Sequence, residues 1–163
     1  MLFRSLSTVL YASWGRGGGT GSLGSSSRRI RVGGDGANQD EIDFDAIYAN
    51  NVEAGVGNYG NSYHRRASVN NHNWYGLLSN LNLDVADNWD VNIGFDGRTY
   101  TGDHFRQVND LLGLTSYQDN YGTDRPSDYT FTNEYEADPW AALFSSAGEE
   151  DRYQYDYSET INY

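Results

Sequence analysis

Residues 70–100 alternate between apolar and polar side chains over two long stretches that are separated by a short break. Successive side chains of a β-strand point to opposite faces, so each stretch sorts its apolar residues onto one side. After the break that side carries Trp89, Val91, Ile93 and Phe95, and before it Tyr75, Leu77, Leu81, Leu83 and Val85. The pattern predicts a long, two-sided β-hairpin over about 63–107 with a tight turn at 86–88.

The length of the alternation constrains the class of β-structure. Strands of soluble sandwiches usually run for about 5 or 6 residues. Strands of about 10 residues, alternating throughout and with aromatic residues near their ends, are typical of transmembrane barrels. We therefore expect an all-β fold whose antiparallel, up-and-down strands come from a transmembrane β-barrel.

Two further strands and two long loops are predicted around this hairpin. Residues 4–14 alternate loosely and run into a glycine-rich segment, and residues 153–163 alternate tyrosine with polar residues. The segments 17–62 and 109–150 are rich in polar residues and predict loops, of which the first could hold a small hairpin at 29–32 and 42–47. The glycine-rich segment lacks the lysine and the following helix of a phosphate-binding loop.

The predicted connections between the strands differ in length, since a short turn lies between two long loops. Outer-membrane barrels have this asymmetry, with short periplasmic turns and long external loops. About four long strands cannot close a barrel, for which about eight are needed. We therefore treat residues 1–163 as one domain-sized, incomplete barrel segment with two long external loops.

Charge and composition exclude several classes of partner and chemistry. The net charge is -12, which disfavours nucleic acid because such interfaces are basic. Cysteine is absent, so neither a disulfide nor a thiolate metal site can form. Aromatic residues make up 15% of the chain, whereas disordered chains are poor in them. The longest apolar run falls far short of the roughly 18 residues of a membrane helix, and the start of the chain predicts a strand in preference to a signal peptide.

Three histidines are the first candidates for a metal site, and no ligand motif links them. His72 and His104 could face each other across the hairpin, with Asp103 as a third ligand. Histidines near strand ends are more often interfacial or hydrogen-bonded residues. We predict no metal and no bound cofactor, and the sequence leaves the roles of His72 and His104 open.

Acidic residues offer two other candidate sites. A set of charged residues along the hairpin could supply paired carboxylates for hydrolysis: Asp84, Asp90, Asp96, Arg98, Asp103 and Arg106. Regular alternation favours a simpler interpretation, in which they line a wet interior and pair with one another. The acidic stretch 35–43 lacks the spacing of a calcium loop and is predicted to be a solvated loop. We expect no catalytic residues and no enzymatic activity.

Aromatic residues crowd the second long loop, at Tyr117, Tyr121, Tyr129, Phe131, Tyr135 and Trp140. Such side chains can stack on sugars, haem-like rings or peptides, and they can equally pack the loop upon itself. The sequence does not decide between these alternatives, and the ligand-binding residues stay unknown.

The residues 71–80 (NHNWYGLLSN) and 94–113 (GFDGRTYTGDHFRQVNDLLG) resemble the barrel region of TonB-dependent outer-membrane receptors of the Bacteroidetes type, whose plug follows a carboxypeptidase-like regulatory domain. A weaker likeness covers residues 10–17 and 42–51. The resemblance implies a barrel in the cell outer membrane that imports a scarce nutrient, with outer-membrane lipid and the inner-membrane TonB energising complex as partners. This sequence shows no plug and no coupling box, so the resemblance implies a barrel segment with two external loops.

Two alternatives come from other classes of protein. The first is a soluble extracellular β-domain that acts as an adhesin or glycan-binding module, for which an apolar layer shared between two sheets would be diagnostic. The second is a secreted hydrolase, which would need a convergent acid pair such as Asp96 and Asp103.

Overall fold

A computed structural model describes residues 2–33, 41–119, 126, 128–144 and 148–163. The eight strands in this part of the chain are β1 (Leu2–Gly15), β2 (Gly18–Gly24), β3 (Val56–Gly57), β4 (Tyr63–Ala86), β5 (Trp89–Asp110), β6 (Ser116–Gln118), β7 (Thr130–Phe131) and β8 (Tyr153–Asn162). The helices are α1 (Phe44–Ala54) and α2 (Pro139–Phe144), with short 3-10 turns at Ser26–Arg28 and Glu149–Asp151. The protein is therefore mainly β, and α1 corrects the expectation of an all-β fold.

The large sheet has the strand order β1-β4-β5-β8, and β2 also pairs with β4. β1 and β2 both run antiparallel to β4, with residue n opposite residue 87 minus n from Ser5 to Gly15 and from Gly18 to Gly24. The two strands therefore share one register along β4. Only near Phe3 does a bulge shift this register.

The predicted hairpin is formed by β4 and β5, which are 24 and 22 residues long and flank a turn at residues 87–88. On its other side β5 pairs with β8, since Arg98 and Tyr163 donate backbone hydrogen bonds to each other's carbonyl groups at 3.3 and 2.9 Å. This mutual exchange is the pattern of an antiparallel pair. The prediction of four long antiparallel strands is thus confirmed in β1, β4, β5 and β8.

The segment 17–62, predicted as a long loop, contains β2 and α1. α1 begins because the Oδ1 atom of Asp43 accepts a hydrogen bond from the Ala46 amide at 2.9 Å, and it ends before Gly55, whose φ of 69° suits glycine. The alternation at 42–47 is too short to compete with this cap. In the described residues, the two arms of the small hairpin expected nearby meet at a bridge between Arg31 and Ile42, with backbone hydrogen bonds from Val32 to Glu41 and from Asp43 to Ile30.

The segment 109–150, also predicted as a loop, holds β6, β7 and α2. β6 pairs in parallel with β3 and antiparallel with β7, which makes a second, small mixed sheet. α2 begins at Pro139, after Asp138 accepts hydrogen bonds from the Trp140 and Ala141 amides. Proline suits this first helical position because its missing N–H would have no partner there.

The chain divides into two compact units, and β4, β5 and β8 each contribute to both. Unit 1 comprises residues 1–15, 71–103 and 158–163, and unit 2 comprises residues 16–70 and 104–157. Every buried apolar side chain of the described residues belongs to unit 2: Ile47, Tyr63, Ala67, Val69, Phe105, Val108, Leu111, Leu114, Tyr117, Phe131 and Tyr153. Unit 2 therefore has a hydrophobic core, whereas the described part of unit 1 is a sheet without one.

The side chain of Asn51 connects α1 to other elements of unit 2 by hydrogen bonds. Its side chain is fully buried, and its Nδ2 atom donates to the carbonyl oxygens of Tyr63 at 2.7 Å and Leu112 at 3.0 Å, with a third at 3.4 Å on Leu111. Leu112 lies in the left-handed region, with φ at 50°. One side-chain amide thus provides hydrogen-bond donors for carbonyl groups at the start of β4 and in the turn after β5. The hydrogen bond to Leu112 stabilises a backbone conformation that is disfavoured for a residue other than glycine.

Replacement of Asn51 by Asp is expected to destabilise unit 2 by about 2 kcal/mol or more, because a carboxylate would face carbonyl oxygens and leave them without a donor. Urea unfolding at pH 7, followed by circular dichroism, measures the change. Asn50→Asp is the matched control, since Asn50 makes only long contacts, at 3.4 Å, to Arg28 and Asn61. Equal urea midpoints for the two variants would show that the hydrogen bonds of Asn51 do not stabilise unit 2.

Candidate functional site

The face of unit 1 that carries Trp89, Val91, Ile93 and Phe95 is exposed. We call it the apolar face, and its members on β1, β4 and β5 are Leu6, Leu10, Trp14, Tyr75, Leu77, Leu81, Leu83, Val85, Trp89, Val91, Ile93 and Phe95. Eight of these are between 44% and 78% exposed: Leu6, Leu10, Trp14, Tyr75, Val85, Trp89, Ile93 and Phe95. The sheet therefore presents to its surroundings a largely apolar surface of the kind that ordinary soluble proteins bury, interrupted by the hydrogen-bonded side chains of Thr8 and Ser79.

Contacts across the strands establish which residues share this face. Opposite residues of paired strands lie on one face, and Leu6 and Leu10 are opposite Leu81 and Leu77. Trp14 meets Tyr75 edge to face at 5.9 Å between ring centroids, and its Nε1 donates to the Tyr75 hydroxyl at 3.1 Å. The aromatic pair thus closes one end of the apolar face, and Trp89 lies at its other end.

The opposite face of unit 1 carries the charged residues that alternation predicted there. Arg4 lies 3.4 Å from Asp84 and 3.6 Å from Asp90, and Arg98 forms a two-point ion pair with Asp96. These groups are substantially exposed, so the pairs add little stability. Each carboxylate has an arginine partner, which is the paired arrangement that the sequence interpretation favoured over catalysis.

Aromatic side chains share this polar face, which the sequence interpretation overlooked. The Trp74 ring lies 4.9 Å from that of Tyr100, and His72 lies 6.2 Å from Tyr100. Tyr11 covers Gly76 so closely that a Cβ atom there would lie 2.2 Å from the ring. Gly76 is the sequence signal for the position of Tyr11, since a larger residue at position 76 would displace the tyrosine ring.

The proposed acid pair for hydrolysis does not converge. Asp96 is held by Arg98, and Asp103 differs from it by an odd number of positions on the same strand, which places it on the other side of β5. Arg106 belongs to unit 2. The six charged residues therefore do not form one site.

The histidines lie in different surroundings. His72 covers Gly15 in unit 1, whereas His104 in unit 2 stacks on Tyr157 at 4.8 Å and its Nδ1 lies 2.7 Å from the Oδ1 of Asn70. In the described ranges no group of three His, Asp or Glu side chains could hold a metal ion. The arrangement of His72, His104 and Asp103 considered from the sequence is not assembled.

His64 is the most unusual titratable group. It is fully buried in unit 2, its ring lies 4.0 Å from that of Tyr117, and neither ring nitrogen has a hydrogen-bond partner among the described residues. Burial lowers its pKa to about 3, because the charged imidazolium would lose its hydration. His64 is therefore a neutral aromatic component of the core at physiological pH.

Two buried tyrosines continue this cluster. Burial raises the pKa of both Tyr117 and Tyr153, and the Asp119 carboxylate adds to the effect in each case. The Tyr117 hydroxyl lies 3.5 Å from Oδ1 of Asp119, and the Tyr153 ring lies 5.1 Å from that of Phe131. These hydroxyl groups stay protonated, so they supply neither a nucleophile nor a base at neutral pH.

The aromatic residues of the second loop mostly pack upon unit 2 itself. Tyr117 and Phe131 are core residues with Tyr129 against them, and Tyr135 packs on a second small cluster of Ala67, Val69 and Phe105. Trp140, on α2, is 73% exposed. Tyr121 lies outside the described residues. Packing therefore explains most of this aromatic crowding, and among its described members only Trp140 offers a free ring surface.

The remaining candidates have structural roles where they are described. Asp43, in the acidic stretch 35–43, caps α1, and positions 35–40 lie outside the described residues. Of the glycine-rich segment 15–21, residues 18–21 belong to β2 and lie along β4. Neither segment supplies a cation or phosphate site in the part of the chain that the structure describes.

Comparisons with models of protein families, with curated proteins and with solved structures find no match to this chain. No helix among the described residues is long and apolar enough to cross a membrane. The apolar face of unit 1 is the most unusual feature of the described residues.

The low pKa of His64 predicts that unit 2 loses stability in mild acid. The unfolded histidine binds a proton below its ordinary pKa of 6.5, whereas the folded one does so only near 3. The contribution is fully present above pH 6.5 and falls as the pH drops towards 3, with a loss of about 2 kcal/mol between pH 6.5 and 5. Urea midpoints measured across this range by circular dichroism test the effect.

In His64→Phe the same loss is expected to be absent while stability at pH 7 is retained, because the ring makes no hydrogen bond. His72→Phe serves as the control and should keep the acid sensitivity of the parent. If His64→Phe is as acid-sensitive as the parent, the buried imidazole is not its source.

Proposed function

We propose that this chain is a segment of a TonB-dependent outer-membrane receptor, with no enzymatic activity. In this proposal the apolar face of unit 1 contacts outer-membrane lipid, and the complete barrel binds a nutrient and imports it with energy from the inner-membrane TonB complex. The exposed apolar face is the observation that carries the proposal. The family itself rests on the resemblance at residues 71–80 and 94–113.

The dimensions of the apolar face support contact with lipid. From Tyr75 to Val85 the strand extends about 33 Å at roughly 3.3 Å per residue, which becomes about 25 Å when strands tilt by about 40°. The apolar band of an outer-membrane barrel is about 25 Å tall. Trp14 and Tyr75 at one end and Trp89 at the other correspond to the aromatic girdles that flank such a band.

Energetics favour the same interpretation. Eight large apolar side chains that are about half exposed would gain roughly 10 kcal/mol on leaving water, at about 1.5–3 kcal/mol for each complete burial. Whole proteins are stable by only about 5–15 kcal/mol. A sheet that leaves this surface in water loses a stabilising free energy of similar size. In this proposal, contact with lipid provides that free energy in place of a hydrophobic core, which the described part of unit 1 lacks.

The sheet edges indicate how such a barrel would continue. In the described chain β1 and β8 each pair on one side only within the large sheet. Unpaired backbone groups are too costly in lipid, so the proposal requires further strands at both edges. At β8 the pattern reverses, because Tyr163 pairs with Arg98 and thus leaves Ser158, Thr160 and Asn162 level with the apolar face. The proposed lipid contact is therefore limited to β1, β4 and β5.

A soluble extracellular β-domain, acting as an adhesin or glycan-binding module, is the second candidate. Unit 2 favours it, because its core lies between Val108 and Tyr153 of the large sheet and Tyr117 and Phe131 of the small sheet. This is the shared apolar layer that a soluble two-sheet domain needs. The two candidates differ in their requirement for detergent.

We expect the isolated chain to require detergent micelles for a monodisperse state with β-rich circular dichroism, because the apolar face would otherwise drive association. Size-exclusion chromatography with and without detergent measures this requirement. A monodisperse protein that melts cooperatively in plain buffer would exclude the membrane proposal and favour the soluble domain.

Arginine substitution distinguishes a lipid-facing surface from general insolubility. Ile93→Arg places a charge on the apolar face and is expected to reduce association with lipid vesicles by about 2–4 kcal/mol, the cost of arginine at mid-bilayer depth in barrels. Asn92→Arg, one position away on the polar face, is the matched control and should bind as the parent does. Co-flotation with vesicles gives both values, and equal losses for the two variants would contradict the assigned lipid face.

A further inference from the structure

Four of the arginines in unit 2 form two groups that differ in what their side chains contact. Arg28 donates to the Gly60 carbonyl and to Asn50, and Arg66 donates to the Ser68 hydroxyl, so both guanidinium groups serve the fold. Arg29 and Arg65 instead line one pocket. Their side chains form no ion pair with any described residue, and Arg65 contacts only the Thr20 hydroxyl, at 3.0 Å.

The pocket is small and has walls of different character. Its volume is about 260 Å³, below the roughly 300–1,000 Å³ of pockets for drug-sized ligands. Ile42 and Phe44 form an apolar wall, Tyr63 is buried beside it, and Arg29 and Arg65 are the charged residues of the lining. The dimensions suit a ligand of one ring or a short chain.

One carboxylate close to the pocket in sequence is engaged in a helix cap. Asp43 lies in sequence between the two apolar wall residues, but its Oδ1 accepts the hydrogen bond that caps α1. The net charge of -12 would repel anions at long range, yet screening limits such repulsion to about 8 Å at physiological ionic strength. Arg29 and Arg65, the charged residues of the lining, therefore favour an anion over a cation as the ligand.

We propose that this pocket binds a small monocarboxylate with an apolar body, such as an aromatic or short aliphatic acid. Guanidinium groups hold carboxylates through paired hydrogen bonds, while Phe44 and Ile42 cover the apolar body. Inorganic phosphate would satisfy the charge but leave the apolar wall without a partner. The inference is independent of the membrane proposal, because every residue of the pocket belongs to unit 2.

Benzoate, acetate and inorganic phosphate are the probes for this site. Each is titrated into the full chain, in the buffer or detergent that keeps it monodisperse, and amide chemical shifts of isotope-labelled protein report binding. We expect benzoate to bind more tightly than acetate or phosphate, with shift changes centred on Gly21, Ser22 and Phe44. Arg29→Gln and Arg65→Gln should each weaken benzoate binding about tenfold or more, the usual effect of one charged hydrogen bond.

Arg66→Gln is the matched control, since it removes the same charge from the position next to Arg65 but not from the pocket. It should leave benzoate affinity unchanged, while Phe44→Ala should weaken benzoate and spare acetate. An equal loss in Arg66→Gln would reduce the effect to overall charge and overturn the proposal. So would equal affinity for benzoate and phosphate, or the absence of any shift change with benzoate.

Discussion

The backbone pairing of β4 is the constraint on which the other elements depend. Its 24 residues pair with β1 and β2 on one side and β5 on the other. β1 and β2 keep a single register along β4. The pairing of each of their residues with β4 therefore determines on which face of the sheet its side chain lies. A slip of one residue would exchange Leu6 and Leu10 with Ser5 and Val9 across the sheet, and the separation of apolar and polar faces would be lost.

The same strand serves two different environments along its length. In unit 2, Ala67 and Val69 are buried on one side of β4 and His64 on the other, as expected for a strand covered on both faces. In unit 1, Tyr75 and Leu78, on opposite sides of the strand, are both exposed. Strand pairing along β4 continues through both parts, so the difference lies in what covers the sheet. The described part of unit 1 therefore lacks the covering that the core of unit 2 provides.

The sequence predicted those features that repeat along a strand. The hairpin and its turn, the four long strands and the location of Asp84, Asp90 and Asp96 on one face all follow from period-two alternation. α1 was missed because one capping carboxylate at Asp43, rather than any long apolar stripe, establishes its start. β2 was missed because Gly18, Gly19 and Gly21 carry a loop composition, although this segment lies directly against β4.

Features that depend on distant contacts could not be predicted. His64 and Tyr117 are 53 positions apart, and only the packing of β6 over β4 brings their rings together. β8 makes the same point about faces. Tyr153, Tyr157 and Tyr163 share one side of the strand, yet Tyr153 is buried in the core of unit 2 and Tyr163 is 70% exposed in unit 1. Alternation groups these tyrosines, but the pairing of Arg98 with Tyr163 decides on which face of unit 1 Tyr163 lies. A strand's pattern therefore predicts which residues belong together, while its register decides what they meet.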